Sequence, residues 1–173
     1  MLFLFHSFIV ALNSYAIWYD QQYVDLPVPS EDFANMPIKA RGVFLTFWCL
    51  VLQTVYFTIA LLNDIFGTNA TAPKKPPLIR KIKDTVFSLS FTIAIYVATA
   101  FWGLYIVNKE LIFPDDIEIE FPSWLNHTMH TFIVPFILIE LFISNRNYPS
   151  RILGEKLHNL STLDIRVTYE KKR

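Results

Sequence analysis

Apolar positions gather into four long blocks along this chain, separated by connections rich in proline and charge. The blocks run from about Leu2 to Tyr19, Val43 to Phe66, Thr85 to Asn108 and His127 to Ser144. A hydrocarbon core about 30 Å thick takes roughly 20 helical residues to cross. The pattern predicts an all-α fold: a polytopic transmembrane helix bundle of about four crossings over residues 1–151, followed by a short, basic, polar tail over 152–173. Pro27, Pro29, Pro37, Pro73, Pro76, Pro77 and Pro114 punctuate the connections. The first block has a second reading as a secretory signal. Nothing basic precedes it, however, and Tyr15, Trp18 and Tyr19 close it with aromatics, as in an interfacial belt. A retained helix is the favoured reading.

Composition agrees. Of the 173 residues, 53% are hydrophobic and 17% charged, where a soluble domain carries about 25% charge. The formal net charge is zero, so no attraction to nucleic acid is implied. The single cysteine, Cys49, excludes an internal disulfide.

Loop charge predicts an orientation. The first connection holds Asp20, Asp25, Glu31 and Asp32 against Lys39 and Arg41, and the third is acidic apart from Lys109. The second holds Lys74, Lys75, Arg80, Lys81 and Lys83, and the stretch from Arg146 to Arg173 has seven basic residues. The positive-inside rule then puts the second connection, the tail and both termini in the cytosol. The expected location is the endomembrane system or the plasma membrane. Sequons at Asn69, Asn126 and Asn159 are expected to stay unmodified: two fall on the cytosolic side and one at the membrane surface.

Polar residues inside the blocks are the candidate chemistry, because ionisable groups in a bilayer are expensive. Thr46, Gln53 and Asp64 share one face of the second helix at about 100° per residue. Ser88, Thr92, Thr99 and Gly103 share a face of the third. Both stripes read first as packing seams. Thr46 lies five residues past Arg41, and His130 six past Trp124. These are rises of about 7.5 and 9 Å, so a hydroxyl and an imidazole fall at similar depth. An imidazole base beside a threonine can produce an acyl nucleophile, although such a pair is more often structural. His127 and His130 share a face and could ligate a metal, but four histidines in the chain are too few for a histidine-box site. No metal or cofactor is expected. Pro135 should kink or loosen the last helix. Glu140 is assigned no chemistry.

LNHTMHTFIVPFILIE at 125–140, YPSR at 148–151, FLTFWCLVLQ at 44–53, FW and KELIFP within 101–114, and PSWLNH at 122–127 resemble the androgen-induced-gene / androgen-dependent TFPI-regulating protein family. That resemblance implies a multi-pass threonine hydrolase that cleaves esters of fatty acids with hydroxy fatty acids. It implies Thr46 as nucleophile and His130, the second histidine of the NHxxH motif, as base. A lipid ester and the bilayer are the implied partners, with protein partners unknown. Asn126 and His127 are candidate oxyanion donors because they adjoin His130. The family continues beyond YPSR through further apolar helices, whereas this chain reads ILGEKLHNLSTLDIRVTYEKKR, as expected of a shortened form. The alternative reading is a non-catalytic membrane regulator or scaffold, or an inactive truncated form.

Overall fold

The computed structural model describes residues 1–25, 37–71 and 73–146. Glu31 and Asp32, the YPSR segment, the sequon at Asn159 and the basic tail 152–173 lie outside them. The described chain is helical: α1 (Leu2–Tyr23), a 3₁₀ segment (Pro37–Val43), α2 (Leu45–Phe66), α3 (Leu78–Asn108), a 3₁₀ turn (Lys109–Leu111), α4 (Asp115–Glu120), α5 (Ser123–His127), a π-helical segment (Thr128–Phe132) and α6 (Ile133–Ile143). The last three run on as one rod. Among the described residues, four helices are long and apolar enough to cross a membrane: Leu2–Tyr23, Leu45–Phe66, Leu78–Leu111 and Ser123–Ile143. The chain is an integral membrane protein.

Helical periodicity decides what is buried. In α1 the inward face is His6, Ile9, Asn13, Ala16 and Asp20, at spacings of three and four. This face packs α1 against α2. Ile9, Tyr56, Phe57, Phe87, Ala94, Ile133 and Ile137 fill the middle. A second apolar cluster at one end is built from Ala16, Leu50, Phe101, Phe113, Phe121, Leu125 and Met129.

The opposite end is polar and largely buried. His6 Nδ1 lies 2.6 Å from Asp64 Oδ2, and its Nε2 lies 3.0 Å from Glu140 Oε2. The Tyr56 hydroxyl donates to Glu140 Oε1 at 2.7 Å, and Arg146 Nη2 is 3.4 Å from the same oxygen. Lys83 donates to Ser144 Oγ at 2.7 Å, and Arg80 to Asp84 Oδ2 at 3.1 Å and to the Thr68 carbonyl at 2.6 Å. Asn69 donates to Asp64 Oδ1 at 2.7 Å, so its amide is engaged inside the fold.

Two expectations change here. The third helix begins at Leu78, seven residues before the expected Thr85. Hydropathy reads Arg80, Lys83 and Asp84 as loop, but all three are buried in the polar network; Arg80 pairs with Asp84 and bonds the Thr68 carbonyl, and Lys83 meets Ser144 and Glu140, which offsets their desolvation. The second change concerns Ser88, Thr92, Thr99 and Gly103. They are exposed on the outer face of α3 and form no seam among the described residues. The buried face carries Phe87, Ser90, Ala94, Val97 and Phe101 instead. Thr92 satisfies its hydroxyl on the Ser88 carbonyl of its own helix at 2.9 Å. In the α2 stripe, Gln53 is buried and donates across to the Ser90 carbonyl at 2.9 Å, as a seam residue should.

Candidate active site

At the end of the bundle opposite the polar network lies a cavity of about 360 Å³, within the size range of small-molecule sites. Thr46 and His130 both line it. Thr46 is the second residue of α2, and the chain reaches it through the Pro37–Val43 segment. Two bonds fix that approach: Trp48 Nε1 donates to the Gly42 carbonyl at 2.8 Å, and the Phe44 amide donates to the Arg41 carbonyl at 3.0 Å. Thr46 is half-buried, and its hydroxyl takes no hydrogen-bond partner among the described residues.

His130 sits in the middle of the π-helical segment. The cause is local. Pro135 has no amide hydrogen, and its ring crowds the carbonyl four residues back, that of Thr131. The backbone widens just before the proline instead of breaking, the loosening that the sequence predicts. Single π turns recur at functional sites. This one packs against both α2 and α3, which brings His130 to the cavity.

Two contacts fix the imidazole. Its Nδ1 lies 2.6 Å from Asn126 Oδ1 and 3.1 Å from the Asn126 carbonyl oxygen. Both partners are acceptors, so Nδ1 carries the hydrogen and Nε2 keeps its lone pair. The ring also lies on Phe101, centroids 3.6 Å apart and planes inclined by 14°. Asn126 therefore orients the base by accepting from it through that oxygen. Asn126 is buried and is not among the residues that line the cavity. His127 diverges from its neighbour. Its ring stacks on Trp102 at 5.8 Å, its Nδ1 meets Thr131 Oγ1 at 3.0 Å, and it is not among the cavity-lining residues. Among the described residues no group of three His, Cys, Asp or Glu side chains is placed to hold a metal.

The remaining walls are apolar, with Phe47, Val97, Phe101, Phe113, Phe121 and Met129 prominent. Leu45, Tyr96 and Leu111 line the cavity while staying largely exposed, so it opens at the surface between apolar side chains. Its polar edge is an ion pair, Asp20 with Arg41, at 3.0 Å. Sequence reading missed Asn126 as the orienting group, although its spacing of four from His130 on a helix was a usable signal. It also missed Phe101 and Arg41, which nothing short of the packing brings to the site.

Comparison with known proteins agrees with the motifs. The family model described as FAR-17a/AIG1-like protein matches residues 1–162. Human androgen-dependent TFPI-regulating protein is 30% identical over 152 residues, covering 87% of this chain and 64% of the relative. The protein of the same name from Mesocricetus auratus is 36% identical over 115 residues, covering 66% and 49%. Human androgen-induced gene 1 protein is 36% identical over 118 residues, covering 64% and 50%. The chain thus spans between about half and two thirds of the length of these relatives. No solved structure matches. On the extent of the family match and the relatives it accompanies, this chain belongs to the FAR-17a/AIG1-like family.

Proposed function

We propose that the chain is a membrane-embedded hydrolase of lipid esters, acting on the ester that joins a fatty acid to a hydroxy fatty acid. Thr46 is the nucleophile and His130 the general base. The observation that carries this reading is that one apolar cavity is lined by both residues, with His130 held through Nδ1 so that Nε2 is the free nitrogen. Thr46 Oγ attacks the ester carbonyl while Nε2 takes its proton. The tetrahedral adduct collapses to an acyl-threonine, and the alkoxide of the hydroxy fatty acid leaves with that proton. Water, deprotonated by the same nitrogen, then frees the fatty acid and restores Thr46. General-base assistance of this kind contributes about 10²–10⁴-fold. The chemistry needs no cofactor. An opening between apolar side chains suits a substrate that arrives from the bilayer. In the orientation we propose, both termini are cytosolic and the cavity lies toward the lumen or the exterior.

The test is hydrolysis of a synthetic branched fatty ester by membranes carrying the chain. Thr46→Ala should abolish turnover and labelling by a fluorophosphonate probe at unchanged protein abundance. Thr46→Ser should retain part of both. Full turnover by Thr46→Ala would sink the assignment.

A further inference from the structure

Arg41 is almost wholly buried, at 3% exposure, yet it lines the cavity. A guanidinium has five N–H donors. Its Nε donates to the two Asp20 oxygens at 3.1 and 3.0 Å, and Nη2 donates once to the Val24 carbonyl at 3.1 Å. Both Nη1 hydrogens and the second Nη2 hydrogen have no acceptor among the described residues. Arg41 lines the cavity, and one Nη1 hydrogen with one Nη2 hydrogen makes the end-on edge of a guanidinium, which suits a bidentate carboxylate. Asp20 does not cancel the site. It also accepts from Gln21 Nε2 at 2.9 Å, and its engagement through Nε holds the fork in place.

A second source of positive potential adjoins. α2 begins at Leu45 with Phe44 in the N-cap position, where no side chain caps it. The amides of Leu45 and Thr46 have no acceptor among the described residues. The N-terminus of such a helix carries roughly half a positive charge. Beyond these groups the walls are hydrocarbon and aromatic. An amphiphile with an anionic head and a long apolar chain fits that distribution.

We infer that Arg41 binds the carboxylate of the cavity's ligand, so that substrate is taken as a free acid with its ester carbonyl directed to Thr46 and His130. This rests on the hydrolase reading for the word substrate, but carboxylate binding stands apart from turnover. The probes are therefore not esters: brominated stearic acid and its primary amide, titrated by tryptophan quenching against the purified chain in detergent. The acid should bind at least about tenfold more tightly than the amide, as a charge-assisted contact implies. In the Asp20→Asn/Arg41→Gln double variant, which leaves no buried charge unpaired, the preference should fall below about twofold with amide binding retained. Arg41→Lys, which keeps the charge and loses the planar fork, should show a reduced preference. It decides the matter if the double variant binds neither probe. Equal binding of acid and amide by the unmutated chain overturns the inference, as does a preference that survives intact in either variant. Absent ester hydrolysis alongside acid-selective binding would count against the proposed reaction alone.

Discussion

His130 lies flat on Phe101, the ring centroids 3.6 Å apart. Phe101 belongs to α3 and His130 to the π-helical segment, so the stack ties the orientation of the base to the packing of two rods. Together with the 2.6 Å bond to Asn126, it leaves the imidazole little freedom to turn.

Loosening either support should therefore lower turnover without removing any reacting group. Asn126→Leu and Phe101→Leu are each expected to reduce hydrolysis of the branched ester, by up to about 100-fold where the base is displaced by about 1 Å. Protein abundance should hold. Unchanged rates in both variants would show that the base is oriented by something else.

The two histidines should separate. His130→Ala should be about as damaging as Thr46→Ala, and the double variant little worse than either, because residues acting as a unit are non-additive. His127→Ala should be milder, since its ring rests on Trp102 away from the cavity. A dead His127→Ala beside an active His130→Ala would refute the pairing.

Glu140 gathers contacts from four other parts of the fold, through His6, Tyr56, Lys83 and Arg146. Glu140→Leu leaves these partners without their shared carboxylate in a largely buried cluster. Breaking a buried ionic network by removing one member typically costs about 3–5 kcal/mol. The thermal midpoint in detergent should fall, and a His6→Ala change on top should add little. A wild-type midpoint for Glu140→Leu would mean that the network contributes nothing to stability.

Gly67 ends α2 where a side chain would not fit. A Cβ there would sit 2.3 Å from Asn63 Oδ1 and 2.7 Å from the Asn63 carbonyl oxygen. Gly67→Ala should destabilise by about 1–3 kcal/mol, as overpacking does. Adding Asn63→Ala should relieve only part of this, because the backbone oxygen stays. Full recovery in the double variant would place the whole clash on the Asn63 side chain.

For the proposed orientation, cysteines introduced at Lys75 and Lys172 should react with an impermeant maleimide only after cells are permeabilised. The native Cys49 is buried and contributes little background. Labelling at Lys75 from outside, with the tail still protected, would exclude a bundle with both termini in the cytosol.

Much of this molecule is determined locally. Four apolar blocks of spanning length dictate four helices, because in a bilayer a segment must satisfy its own backbone. Pro135 dictates a loosened turn beside His130, whereas the α-helical rise assumed from Arg41 to Thr46 does not apply, because the helix begins only at Leu45. Other features belong to tertiary structure. Hydropathy counts a charge as a loop signal whatever its partners, so it cannot show that Arg80, Lys83 and Asp84 are helical and buried. Nor can the spacing of Ser88, Thr92, Thr99 and Gly103 say which way that face of α3 turns. That depends on the neighbouring helices, which take the face with Phe87, Ala94 and Phe101. Only packing brings Phe101 under His130 and aims Arg41 into the same cavity, because those contacts join residues far apart in the chain. Periodicity determines which side chains share a face, and the fold decides what that face meets.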